Sequence, residues 1–158
     1  MSRELQPVEV VLTRDHAFEK KPDKGRGCGI CGGAKNARAH IGAPPSLNVL
    51  GSGNVFAFQA IKKSLSEALR EGLEQTDLPR PLGRVLVEGE CTFPDRKKRD
   101  QGNHRALLEK ALGDTLTEGG WLTDDDWSRY EFGNLGTTYE KGGSRLRLTV
   151  FPTPVETT

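Results

Sequence analysis

The sequence lacks long apolar runs, and no stretch approaches the roughly 20 consecutive apolar residues that a membrane-spanning helix needs. The N-terminus also has no apolar signal core. Three cysteines in 158 residues argue against a disulfide framework. The hydrophobic fraction of 34% is low but compatible with one modest core. We therefore predict a cytoplasmic protein of one ordinary domain with a small appendage, and no membrane partner.

A net charge of only +1 conceals an uneven distribution of charge along the chain. Residues 14 to 38 contain seven basic and three acidic residues. Such local excess suits a polyanionic partner better than the total charge implies, although a solvated basic loop explains this run equally well.

The same region holds a cysteine and histidine cluster: His16, Cys28, Cys31 and His40. Two cysteines in a C-x-x-C-G turn converge from one tight bend, as tetrahedral zinc requires, and the two imidazoles would complete a Cys2His2 site. The arrangement resembles a small zinc-binding module of actinobacterial and phage proteins. A redox pair and two unconnected thiols are the alternatives. Four protein ligands predict a structural zinc ion that folds an otherwise polar, glycine-rich segment.

Periodicity predicts two helices packed on a small sheet. Residues 54 to 75 carry an apolar helical stripe of Phe58, Ile61, Leu65, Ala68, Leu69 and Leu73. A second helix, capped by Asn103, places Leu108, Leu112 and Leu116 inward and ends at Gly119 and Gly120. Strands are predicted at residues 7 to 13, 84 to 93, 130 to 132 and 145 to 151, with Cys91 as a buried thiol.

Candidate chemistry gathers between residues 91 and 130. Asp100 follows a strand and a basic run of Arg96, Lys97, Lys98 and Arg99. The second helix then carries Lys110, and a glycine turn leads to Asp124, Asp125 and Asp126. Carboxylates bind hard cations, and lysine and arginine bind the negatively charged phosphate. This combination therefore predicts a magnesium-dependent phosphodiesterase. His104 is a weaker candidate for a general base.

The order of these residues resembles the RusA family of Holliday junction resolvases, whose core reads roughly F-P-D-R-R-R-R-D-x-D-N, then K-x-x-x-D-x-L and W-L-D-D. The corresponding runs here are residues 93 to 100, Asn103, Lys110 with Asp114 and Leu116, and residues 121 to 125. A P-P-S-L-N segment at residues 44 to 48 is also family-like, so the resemblance covers about residues 43 to 152.

Two features depart from that pattern. Gly102 stands where the family places its second acid, and Glu109 or Asp126 are candidates to replace that metal ligand. Lys110 lies seven residues after Asn103 instead of three. Four added helical residues rotate the chain by about 400°, which leaves the lysine only about 40° from its original face and roughly 6 Å further along. Lys110 is therefore still expected to face the same cleft.

The resemblance implies an α+β fold with a small mixed sheet and two main helices. We expect a zinc-binding knuckle at 1–42, a RusA-like core at 43–152 and a disordered tail at 153–158. It further implies a homodimer that resolves four-way DNA junctions by paired nicks, in the host cytoplasm if the protein is phage-encoded. Asp100, Lys110 and Asp125 would be catalytic, and Asp100, Asp124 and Asp125 would hold Mg²⁺. The basic run at residues 96 to 99 would grip DNA.

Two other functions fit the sequence. Loss of the acid at Gly102 is compatible with a protein that binds branched DNA without cutting it. Alternatively, the zinc module recruits protein partners and the nuclease core is vestigial.

Overall fold

The computed structural model describes residues 4–13, 55–93, 96, 101–141 and 145–156. These residues form a four-stranded sheet and two helices. The elements, in chain order, are β1 Val8–Thr13, α1 Val55–Glu74, β2 Arg84–Phe93, α2 Gln101–Glu118, β3 Tyr130–Tyr139 and β4 Arg145–Thr153. The predicted α+β fold with a mixed sheet and two main helices is confirmed. The predicted zinc knuckle falls outside the described residues.

The sheet has the strand order β1-β4-β2-β3. Strand β4 pairs antiparallel with both β1 and β2, whereas β2 and β3 are parallel. A parallel pair needs a long crossover connection, and α2 supplies it between β2 and β3. This crossover places the start of α2 after the end of β2, and the end of α2 before the turn that leads into β3.

Alternation along the strands makes one sheet face apolar. Leu146, Leu148 and Val150 are fully buried, as predicted, and the intervening Arg147 is exposed. Helix α1 packs against β1, α2 packs against β3, and the helices contact each other. Leu108, Leu112 and Leu116 anchor α2 in this core with no exposed surface, and each contributes about 1.5–3 kcal/mol by leaving water.

The ends of the elements differ from prediction in two places. Helix α2 begins at Gln101, so Asn103 lies within its first turn and the prediction of an Asn103 cap is wrong. Strand β3 continues to Tyr139, seven residues beyond its predicted end. Gly133, Asn134 and Gly136 interrupt its strand pattern, but pairing with β2 carries the strand past them. Strand β4 runs to Thr153, one residue into the predicted tail.

Helix α1 matches its predicted bounds closely, and Leu65, Leu69 and Leu73 are buried as predicted. The side chains of Phe58 and Ile61 lie outside the described part of the chain. Within the described residues, neither helix is long and apolar enough to cross a membrane.

Candidate active site

Two lysines and two aspartates form a connected charged cluster beside α2. The ammonium group of Lys110 lies 2.9 Å from Asp114 Oδ1, one helical turn along, and 3.8 Å from Asp125 Oδ2. The other oxygen of Asp114, Oδ2, lies 2.7 Å from Lys62 Nζ on α1. We call these four residues the charged cluster. The structure thus brings together Lys110 and Asp125, which the sequence assigned to one site.

The turn that carries Asp125 is fixed by the end of α2. Gly120 adopts a positive φ of 80°, which glycine tolerates without steric cost. The Trp121 amide then donates to the Leu116 carbonyl and the Gly120 amide to the Thr117 carbonyl, the pairing of a Schellman cap. The Trp121 side chain is fully buried and packs under the Arg80 guanidinium at 3.9 Å. The turn that carries Asp125 therefore begins from a helix end that is fixed by hydrogen bonds and by the buried Trp121.

The three consecutive aspartates do not have equivalent surroundings. Asp124 Oδ1 accepts a hydrogen bond from the Asp125 amide, and Asp126 Oδ1 accepts from the Ser128 amide, each at 2.8 Å. The Ser128 hydroxyl also donates to Asp126, and these hydrogen bonds hold its pKa below the ordinary value. Asp125 is the aspartate of the three that pairs with Lys110.

Gly113 lets Asp125 approach α2 closely. A Cβ atom at this position would lie 3.1 Å from Asp125 Oδ2 and 3.0 Å from Tyr130 Cε1, tighter than ordinary van der Waals contact. Tyr130 is buried, and its hydroxyl donates to the Glu109 carbonyl at 2.9 Å. Burial, followed by the charges of Glu109 and Asp125, raises the Tyr130 pKa. The Tyr130 side chain therefore stays uncharged and packs close to the Asp125 carboxylate.

Two members of the charged cluster, Asp114 and Lys110, have shifted pKa values. Partial burial alone would raise the pKa of Asp114, but hydrogen bonds from Lys62 and Lys110 lower it below the ordinary value. The hydrogen bond to Asp114, together with the charges of Asp114 and Asp125, raises the pKa of Lys110. The Asp114 carboxylate and the Lys110 ammonium group therefore stabilise each other in their charged forms.

Lys62 and Asp114 also line a groove of about 340 Å³ between the helices. Its other lining residues are Lys63, Ser66, Glu67, Arg70, Thr115 and Glu118. The Lys62 side chain is 27% exposed and pairs with Asp114. The helical periodicity shows that Lys62 lies off the apolar stripe, but it does not show which residue it meets.

Other predicted site residues lie elsewhere. Glu109 extends toward Arg105, with 3.7 Å between the charged atoms, and the Arg96 guanidinium lies 4.8 Å from the centre of the Tyr139 ring. His104 is buried with its ring 5.3 Å from that of Phe93, an arrangement that fits core packing. Cys91 is buried, and desolvation raises the pKa of its thiol to about 12.

Several predicted residues fall outside the described part of the chain: Asp100, Lys97, Lys98, Arg99, His16, Cys28, Cys31 and His40. Among the residues that are described, no group of three or more His, Cys, Asp or Glu side chains is arranged to hold a metal ion.

The fold and the cluster together define an α+β protein that presents carboxylates and lysines beside one helix. Its relatives include crossover junction endodeoxyribonucleases RusA from Escherichia coli strain K12, Shigella sonnei strain Ss046 and Enterobacteria phage 82. Each is 34% identical over 93 residues, which cover 58% of this chain and 69% of the relative. No protein-family profile matches the sequence. At this identity and coverage, the chain belongs to the RusA family of crossover junction endodeoxyribonucleases.

Proposed function

We propose that this protein is a magnesium-dependent endodeoxyribonuclease that resolves Holliday junctions or other branched DNA by paired nicks. The observation that carries the proposal is the contact between Lys110 and Asp125 on a RusA-family chain. A carboxylate and an ammonium group side by side are suited to a phosphodiester, because one holds a cation and the other meets phosphate charge.

Asp125 is the central candidate for the magnesium ligand. Its side chain is 34% exposed, and its ion pair with Lys110 is long at 3.8 Å, so its oxygens are accessible. Carboxylate oxygen is the donor that Mg²⁺ prefers, and Asp100 and Asp124 are the proposed further ligands. When bound, magnesium supplies charge neutralisation at phosphate and activation of water. Glu109 is a weaker substitute for the acid lost at Gly102, since its carboxylate extends toward Arg105.

Lys110 is the proposed group that stabilises negative charge on the reacting phosphate. Its side chain is 61% exposed, so the ammonium group can reach a ligand in the solvent. The bond to Asp114 holds that ammonium on the Asp125 side of α2, and Lys62 fixes Asp114 from the neighbouring helix. Asp114 and Lys62 are thus positioning residues, because they act through Lys110.

The remaining assignments extend this proposal to the whole chain. The basic residues Arg96, Lys97, Lys98 and Arg99 would bind the DNA backbone, and two copies of the chain would place one active site on each of two strands. A structural zinc ion on His16, Cys28, Cys31 and His40 would order the N-terminal segment. Elemental analysis should then find one zinc per chain, and a metal-free preparation with a folded N-terminal segment would contradict it.

The function is tested with a synthetic four-way junction incubated with the full-length protein. In Mg²⁺ we expect symmetrically placed nicks in opposite strands, and in Ca²⁺ we expect binding without cleavage. A linear duplex of the same sequence serves as the substrate control and should remain intact. Cleavage of both substrates at equal rates would contradict a structure-specific resolvase.

The second candidate is a protein of the same fold that binds branched DNA without cutting it. Gly102, in place of the family's second acid, favours this alternative. The junction assay separates the two, because such a binder would shift the junction in Mg²⁺ and release no nicked duplex.

A further inference from the structure

Trp127 is unusually exposed for its size. It exposes 86% of its surface, whereas the other exposed large apolar side chains of the described residues reach at most 49%. Trp121, in the same segment, is fully buried. Large aromatic side chains are normally buried over most of their area, because their transfer from water is strongly favourable. An indole exposed to this degree offers a flat aromatic face on which a ligand can stack.

The turn that presents Trp127 is held by its neighbours. The Asp126 carbonyl accepts hydrogen bonds from the amides of Arg129 and Tyr130, at 3.0 and 2.9 Å. The Asp126 carboxylate accepts from the Ser128 amide, and Arg129 Nε lies 3.8 Å from it. These contacts close the backbone around Trp127, so the indole is carried by an ordered turn and the backbone loses little conformational entropy when a ligand binds.

Trp127 is also close to the proposed site of reaction. It follows Asp125 by two residues, a distance of at most about 7 Å along an extended chain. Trp127 therefore lies on the same turn as the proposed magnesium ligand.

We propose that Trp127 is a stacking residue for an unpaired or unstacked DNA base at the branch point. This inference rests on the proposed function and adds the means by which the site would distinguish a branch from a continuous duplex. Aromatic side chains bind the flat face of any exposed base, but a continuous duplex keeps those faces stacked on one another. A branch point offers such a face, so Trp127 would favour junctions without reading sequence.

The surroundings of Trp127 favour a base over an apolar protein partner. Its chain neighbours Asp124, Asp125, Asp126, Ser128 and Arg129 are all polar. A protein that covered the indole would have to remove the neighbouring aspartates from water, and desolvation of charged carboxylates is costly even when they have partners. A nucleotide brings the cations that accompany its phosphate, and these cations can neutralise the same carboxylates.

The test compares Trp127→Phe with Trp127→Leu in the full-length protein. Phenylalanine keeps an aromatic face, whereas leucine keeps apolar bulk without one. With a four-way junction in Ca²⁺, Trp127→Leu should weaken binding about 5- to 100-fold, and Trp127→Phe by less than about 5-fold. Affinity for a linear duplex of the same sequence should not change. Since Trp121 is buried, the exposed indole should dominate a fluorescence change that the junction produces and the duplex does not.

Three results would overturn the proposal: unchanged junction affinity in Trp127→Leu, equal losses in both variants, or equal losses on junction and duplex. A change of molecular mass by light scattering in Trp127→Leu would instead assign the residue to an interface between copies of the chain. Nicking in Mg²⁺ is read separately. Nicking with no dependence on Trp127 refutes this inference alone, whereas Trp127-dependent junction binding without nicking refutes the proposed nuclease alone.

Discussion

The ion pairs beside α2 differ from those on the open face of the sheet. In the charged cluster, Asp114 is shared by two lysines from different helices and only 23% of its side chain is exposed. On the sheet, Glu9 pairs with Arg147, and Glu131 pairs with Arg84. These side chains are 49–56% exposed, and each pair joins two neighbouring strands. Exposed pairs contribute roughly 0–1 kcal/mol, so the sheet pairs are a solvated surface.

This difference supports the proposed role of the cluster in positioning Lys110. Because two lysines share the Asp114 carboxylate, the position of Lys110 next to Asp125 is restricted. Each ion pair on the sheet joins only its own two side chains and positions no third residue. Substitutions in the cluster should therefore affect catalysis more than stability, and substitutions on the sheet should affect neither strongly.

Among the substitutions that compare these two regions, the largest effect is expected for Lys110→Met. Removal of one charge that stabilises a transition state typically costs about 10²- to 10³-fold in rate. We expect a loss of this size in junction nicking under Mg²⁺, with little change in thermal stability because Lys110 is mostly exposed. Lys63→Met removes the same charge from an exposed position on α1 and is the control. Equal losses in both variants would mean that only the total positive charge matters and that Lys110 has no specific role.

A smaller loss is expected for Gly113→Ala. The new methyl group would press on both Asp125 Oδ2 and the Tyr130 ring, so the carboxylate has to move. We expect nicking to fall about 10- to 100-fold, as small misplacements in active sites do. Gly136→Ala on β3 is the matched control, since its methyl group would meet nothing nearer than 3.9 Å. Wild-type nicking by Gly113→Ala would show that the close approach of Asp125 is dispensable.

The smallest effect is on stability, in Asp114→Asn, which should lower the free energy of unfolding by about 1 kcal/mol at neutral pH. Because the lysines lower the pKa of Asp114 in the folded protein, the wild-type advantage should be complete above about pH 4. It should disappear as the pH falls through that lowered pKa.

Denaturant titrations at several pH values measure this effect, with Glu9→Gln on the open sheet face as the control. The control should change the unfolding free energy by less than about 0.5 kcal/mol at any pH. An equally large and pH-dependent effect in Glu9→Gln would remove the distinction between the two regions.

Local patterns predicted much of this architecture. The spacing of Leu108, Leu112 and Leu116 gave α2 its buried face, and Gly120 marked its end, since both signals depend on residues within one or two turns. The length of β3 was missed, because pairing with β2 orders residues whose own propensity for strands is weak.

The candidate site shows the same division. Spacing placed Lys110 and Asp125 in one cleft, and they lie 3.8 Å apart. Lys62 and Asp114 are 52 positions apart in the chain, and their contact joins the two helices. The role of Gly113 depends on the close approach of Asp125 to α2. Tertiary packing determines both of these contacts, so no local sequence pattern could predict them. The catalytic roles of Asp100, Lys110 and Asp125 stay predictions.

The central claim is that Asp125, out of three consecutive aspartates, is the acid required for cleavage. It is tested most directly by single-turnover cleavage of a four-way junction with Asp125→Asn beside Asp124→Asn, each measured in Mg²⁺ for rate and in Ca²⁺ for binding. We predict that Asp125→Asn abolishes cleavage and still binds the junction, and that Asp124→Asn retains measurable cleavage. Cleavage by Asp125→Asn at the wild-type rate would contradict the account.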